Sequence, residues 1–266
     1  MTRSRQSVLA VVGVVSFLVC QAPPASAQTA PSLGAAQSYA VLAGSTVTNT
    51  GPSTIGGDLG LSPGTSVTGF PPGTVSGTIH AADAAALNAK NALVTAYDNA
   101  AGQSCTLDLT GQDLGGKVLT PGVYCYTTSA QLTGALTLNA QGNAAAVWIF
   151  KVGSTLTTAS GSSVVMTNSG SQCNVFWQVG TSATLGSATS FAGNILALSS
   201  ITTTTGAKIV GRALARNAAA TLDTNNITPN SCPAAVPTLP PAVLVLLALG
   251  LAGIGYRQLR RRSSAF

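Results

Sequence analysis

The sequence predicts a mostly-β fold: a β-solenoid of six or seven coils with one long α-helix along a face of the stack. Three observations lead there. From Cys105 onward a loose unit of roughly 20 residues recurs, each copy a strand, a turn and a second short strand rich in threonine or serine. One segment alone breaks that pattern with helical spacing. And charged residues make up only 7 % of the chain, against roughly 25 % in an average soluble domain. Valine, leucine and isoleucine nevertheless recur at short intervals, which supplies a core.

The elements follow in chain order. Residues 1–27 carry Arg3 and Arg5, an apolar run from Val8 to Val19 and the small-residue sequence ASA before Gln28, the pattern of a cleaved secretory leader. The stretch STVTN and its echo TSVTG then read as short strands. Between about 79 and 101, Ile79, Ala82, Ala86, Ala89, Leu93, Ala96 and Ala100 fall at alternating spacings of three and four, with Asp83, Lys90, Asn91 and Asp98 largely off that stripe, an amphipathic helix. About 22 residues at 1.5 Å each give roughly 33 Å, and six or seven strands at about 4.8 Å give roughly 30 Å. Such a helix can flank the whole stack.

The repeat units are GVYCYTTSAQLTGALTL, AVWIFKVGSTLTTASGSSVVM, NVFWQVGTSATLGSATSF, GNILALSSITTTTGAKI and GRALARNAAATLDTNNI. A tail, 233–266, ends the chain. Its apolar run from Leu239 to Tyr256 precedes Arg257, Arg260, Arg261 and Arg262, as expected of a short transmembrane helix with a basic cytoplasmic stop. The domain plan is therefore a leader 1–27, a solenoid domain 28–232 and a tail 233–266 with a membrane segment at 239–256.

Between Gln28 and Tyr256 six cations balance six aspartates, so the basic character belongs to the two ends and no nucleic-acid footprint remains. An exported chain with Cys105, Cys125, Cys173 and Cys232 is expected to form disulfides. Three pairings are open, of which Cys105–Cys125 with Cys173–Cys232 is favoured. Enzyme chemistry finds no foothold. There is no glutamate, and His80 is the only histidine, expected to cap the helix or touch backbone. Asp108 and Asp113 read as turn residues, and Trp148, Phe176 and Trp177 as core. No cofactor or metal is expected.

The motifs LGAAQSYAVLAGSTVTNT, TIGGDLGLSPG, TVSGTIHAAD, LTPGVYCY, VWIFKVGS, NVFWQVG, GNILA and GRALARNAAATLDTNNIT together resemble the microbial ice-binding proteins. That resemblance spans about Leu33 to Thr228. It implies a discontinuous solenoid, in which N-terminal strands close coils formed by the C-terminal half, a flanking helix, and one flat outward face that adsorbs to an ice crystal surface. The motif VPTLP, Val236 to Pro240, resembles PEP-CTERM-like sorting tails in the variant beginning Ile-Pro-Thr-Leu. This implies a sorting protease and the membrane as further partners, and display on or release from the cell surface.

Side chains two apart on a strand share a face. The outward file expected from the repeats is Thr48, Thr68, Gln131, Thr157, Thr184, Thr202 and Thr221, threonine at six of seven places. Beside it run Thr46, Ser66, Ser129, Thr155, Ser182, Ser200 and Ala219, and Thr204 and Asp223 begin a third file. In the run Thr202 to Thr205, Thr202 and Thr204 are expected to face out, and Thr203 and Thr205 to turn inward or into the corner. The expected ice-binding residues are Thr48, Thr68, Thr155, Thr157, Ser182, Thr184, Ser200, Thr202, Thr204 and Thr221. The alternative function is cell-surface adhesion, or a place in an extracellular matrix, through a polysaccharide or another cell.

Overall fold

The computed structural model describes residues 28–229. The leader 1–27, Cys232 and the tail with its 239–256 segment lie outside the described residues. Within them, no helix is long and apolar enough to cross a membrane.

Each full coil is three short strands, so the stack is a three-sided prism. Gly122–Tyr126, Ala130–Leu132 and Ala135–Asn139 make one coil. Trp148–Val152, Leu156–Thr158 and Ser163–Thr167 make the next and pair with it in parallel, residue for residue. The long strands Ser190–Ala197 and Lys208–Ala215 run through the wide corner from one side to the next. The stack is discontinuous in sequence. Tyr39–Ala43 pairs with Lys208–Ala215, Thr46–Thr50 with Ala220–Asp223, and Thr54–Ile55 with Asn226–Thr228. The N-terminal coils thus sit on the last C-terminal coil, and the chain returns along the stack as a helix to start the first coil at Leu107–Asp108.

That helix, α1, spans Ala84–Gly102, 19 residues rather than 22, and is about 28 Å long. It starts five residues later than the spacing predicts. Ile79–Ala81 is instead a strand paired with Leu59–Leu61, and Ala82 takes a left-handed φ of 54° that ends it. Asp83 is the N-cap, accepting a hydrogen bond from the Ala86 N–H at 2.8 Å, a common means of satisfying a free helix donor. His80 therefore does not cap the helix. Its Nδ1 lies 2.7 Å from Asp83 Oδ2, and its ring packs near Tyr39.

Inside the prism the inward-pointing residues of successive rungs stack. Phe150 and Trp177 lie 3.9 Å apart at 9°, with Tyr124 and Phe191 continuing the column. The indoles of Trp148 and Trp177 donate to the Leu119 and Ala192 carbonyls, so these rings are core. Phe176 is buried on the other side of its strand, toward the helix. Coils also turn closely over one another: a Cβ on Gly180 would lie 2.3 Å from the Gly153 carbonyl oxygen. Only glycine fits there.

Candidate functional site

One side of the prism is a seven-stranded parallel sheet. Its rungs are Ala130–Leu132, Leu156–Thr158, Ala183–Leu185, Ile201–Thr203, Ala220–Asp223, Thr46–Thr50 and Ser66–Thr68. Register pairs Gln131 with Thr157, Thr157 with Thr184, Thr184 with Thr202, Thr202 with Thr221, Thr221 with Thr48, and Thr48 with Thr68. The predicted file is thus one unbroken ladder. All seven side chains reach the surface, while the flanking Val47, Ala130, Leu132, Leu156, Ala183, Leu185, Ile201, Ala220 and Leu222 are buried.

The hydroxyls divide into two kinds. Among the described residues, none of the six threonine hydroxyls of the central ladder bonds to another protein group. In the neighbouring file, Thr155 Oγ1 donates to Ser129 Oγ at 2.7 Å, and the hydroxyls of Ser182 and Ser200 meet at 2.9 Å. That file is a set of rung-to-rung ties. The central ladder keeps its hydrogen-bonding capacity for what lies outside.

Thr204 differs from its expectation. It is only partly exposed, and its hydroxyl donates to the Leu185 carbonyl at 2.8 Å, so it closes a turn rather than facing out freely. Thr203 turns inward as expected, donating to Thr221 O and Asn225 Oδ1. Thr205 stands exposed in the turn and donates to Asp223 Oδ2. Thr50, outside the expected set, is also exposed and in register with Asp223. Its position two residues beyond Thr48 was the available signal.

Asp223 is the only ionisable residue in the seven strands, and it lies at their margin. Thr205, Thr224 and its own backbone are engaged around it. A column of buried polar side chains runs inside the adjoining corner. Thr158 meets Thr189 at 2.9 Å, Thr203 bonds Asn225, and Ser53 links Asn225 to Asn49. Satisfied buried networks of this kind rigidify what they join, and here they hold successive rungs in one plane.

The helix covers a second side. Outward residues there include Val123, Ile149, Phe176, Leu196, Leu214 and Leu42, packed against Ala89, Leu93, Ala96, Tyr97 and Ala100. Lys90, expected largely off the buried stripe, is itself buried. Its ammonium donates to the Ala215 carbonyl at 2.7 Å and to that of Arg216. Burial, with Arg216 nearby as a lesser cause, brings its pKa down to about 8.

Asp108 and Asp113 build turns, as expected. Asp108 accepts from the Thr110 hydroxyl and N–H, which lower its pKa. For Asp113, burial raises the pKa, but donors on Thr133 and Gly115 outweigh it and the net shift is downward. No group of three metal-ligating side chains occurs among the described residues. Cys105 and Cys125 form a disulfide, the first half of the favoured pairing. Cys173 is also disulfide-bonded.

A three-sided parallel solenoid with a flanking helix and one bare threonine ladder defines a class. The family model described as Ice-binding-like matches residues 41–228, and the chain belongs to that family. An ice-binding protein of Nostoc sp. (strain HG1) is 51 % identical over 93 % of this chain and 92 % of its own length. One from Flavobacterium frigoris (strain PS1) is 36 % identical over 74 % and 75 %. Among solved structures, an ice binding protein from an Antarctic biological consortium superposes with a TM-score of 0.75 at 44 % identity, covering 80 % of this chain and 96 % of that one. The ice-binding protein of the Antarctic ascomycete Antarctomyces psychrotrophicus gives 0.73 at 41 %, covering 75 % and 98 %.

Proposed function

We propose that this protein is a non-enzymatic ice-binding protein that adsorbs to ice through the seven-rung threonine face. The observation that carries the reading is the central ladder: six threonines in strict register, hydroxyls unengaged among the described residues, on a sheet whose single charge is marginal. β-Branching restricts χ1, so methyls and hydroxyls repeat at the strand spacing of about 4.8 Å in one direction. Methyls order the water above them, and hydroxyls anchor it. That array matches repeats of the ice lattice closely enough for ordered water to merge with a growing crystal. Many weak anchors engaging together make release slow, as in any multivalent attachment. Ice between adsorbed molecules must then curve, which lowers its freezing point and blocks recrystallisation.

The residues assigned to contact are Thr48, Thr68, Thr157, Thr184, Thr202 and Thr221, with Thr155, Ser182, Ser200 and Thr204 shaping the margin. The relatives are ice-binding proteins and lend nothing to the adhesion alternative. The burial of Trp148, Phe176 and Trp177 removes the aromatic platform a glycan would use. Export is part of the proposal. The 1–27 leader directs it, the Cys105–Cys125 disulfide suits an oxidising compartment, and the tail delivers the protein to a sorting protease and the membrane.

The test is ice recrystallisation inhibition by purified Gln28 to Cys232. Inhibition at micromolar protein, lost in Thr184→Tyr, is the expected result. A folded sample without inhibition would overturn the reading and make glycan binding the next assay.

A further inference from the structure

The threonine ladder crosses a break in the chain. Thr157, Thr184, Thr202 and Thr221 follow one another through consecutive coils, but Thr48 belongs to the N-terminal coils and meets Thr221 only by strand pairing. Alternation does not fix that meeting. Thr46, Thr48 and Thr50 all point outward, with Val47 and Asn49 buried between them. A one-residue slip would turn the strand inside out, but a slip of two would not. It would keep threonine on the surface and bring Thr46 or Thr50 beside Thr221 instead. Something else must choose Thr48.

Asn225, Ser53 and Asn49 lie buried in the corner beside this junction. The Ser53 hydroxyl accepts from the Asn225 N–H at 2.9 Å, a partner 172 residues away, and donates to Asn49 Oδ1. Asn225 Oδ1 accepts from the Thr203 hydroxyl at 2.7 Å, and its Nδ2 donates to the Thr204 and Ala207 carbonyls. Asn49 Nδ2 donates to the Gly51 and Gly69 carbonyls, each at 2.8 Å. Three side chains thus join the rungs of Thr202, Thr221, Thr48 and Thr68, two on each side of the break. Within the continuous coils single hydroxyls serve, as where Ser162 donates to the Leu132 carbonyl at 2.9 Å. A two-residue slip would carry Asn49 and Ser53 about 6.6 Å along the strand and leave buried polar groups unpaired, which is costly. We infer that the Asn225–Ser53–Asn49 bridge is a positioning device for ice binding: it selects Thr48 as the neighbour of Thr221 and holds Thr48 and Thr68 in the plane of the C-terminal rungs. Its consequence for ice rests on the proposed function; the register itself does not. Without the bridge the working ladder shrinks to the four threonines of the C-terminal coils.

Two measurements on the full chain test this. By amide hydrogen exchange, the Asn225 N–H should exchange as slowly as those of Ala220–Asp223. Ser53→Ala should speed exchange in Thr46–Thr50 and Ser66–Thr68 while Trp148–Val152 stays protected. An Asn225 N–H that exchanges like an amide in open solvent overturns the bridge, even where Ser53→Ala fails to fold. Unchanged exchange in the folded variant overturns it too. The second measurement is ice recrystallisation inhibition. Thr48→Tyr should cost about tenfold in the native chain and less than about twofold in Ser53→Ala, where Thr48 has already left the plane. Thr184→Tyr should cost about tenfold in both. An equal loss from Thr48→Tyr in both backgrounds would show that the bridge adds stability alone, and overturns its positioning role. No inhibition by the folded native chain removes the ice reading, and the exchange result then decides the register by itself.

Discussion

The threonine face and the helix-covered face are sides of the same prism, built by the same coils with the same register, and they end in opposite states. On the covered side, Leu196 pairs with Leu214 and Leu214 with Leu42. On the bare side, Thr202 pairs with Thr221 and Thr221 with Thr48. Backbone geometry does not distinguish them; side-chain chemistry does. Leucine held out from a sheet gains by losing water, and α1, with alanine at Ala86, Ala89, Ala96 and Ala100, comes close enough to take it. Threonine offers a methyl and a hydroxyl that water can satisfy, so nothing among the described residues is driven to cover it. The flatness of the bare side and the stability of the covered side are two uses of one scaffold.

The largest effect expected from breaking this contrast lies on the covered side. Leu93→Ala should cost about 2–5 kcal/mol, read as a lower denaturant midpoint, because Leu93 is wholly buried between helix and sheet. Ice activity per folded molecule should stay as it was. Reducing Cys105–Cys125, which closes a sequence separation of 20, should cost about 3 kcal/mol. An unchanged melting temperature under reductant would show that this pair contributes nothing.

On the bare side the signs reverse. Thr157→Tyr and Thr184→Tyr should leave stability within about 0.5 kcal/mol, as for most surface substitutions. Each should cut recrystallisation inhibition about tenfold or more, since one raised side chain lifts neighbouring anchors off the crystal together. Full activity in both variants would move the site to another side of the prism.

The smallest effect concerns pH. Lys90 carries a folded pKa of about 8 against 10.5 in the unfolded chain. Below pH 8 both states hold the proton, and the buried charge penalises the folded one. Between about 8 and 10.5 the unfolded chain binds more protons, so stability rises with pH through that window. Tyr39 works against this near the top, its pKa pushed up to about 12 mainly by burial, with Asp83 and Asp58 adding to the shift. The melting temperature should therefore be compared between pH 8 and 9.5, where Lys90→Met should flatten the rise. An identical slope in the variant would place the titration elsewhere.

Much of the threonine face was legible because its signal is local. Alternation along a strand decides which residues point out, and that can be read from Ile201, Thr202 and Thr203 without knowing their neighbours. Helix boundaries were less legible. Ile79 and Ala82 satisfy the helical spacing, yet Ile79 gains more by pairing with Leu59, a partner 20 residues away that periodicity does not register. Lys90 was misplaced for a related reason. A lysine reads as solvent-facing until two backbone carbonyls at the corner, Ala215 and Arg216, are found to receive it.

By itself, the sequence determined the parallel solenoid class, the single helix, the core aromatics and the outward threonines, because each follows from periods of 2 and 3.6 residues and from side-chain chemistry. Only the tertiary structure decided where Thr48 and Thr68 stand in that file, Thr48 beside Thr221 and Thr68 beyond it at one end, because that order depends on strands some 170 residues apart pairing in one register. It also decided which hydroxyls remain unengaged. A hydroxyl is free or tied according to what stands on the next rung, and the next rung is distant in the chain.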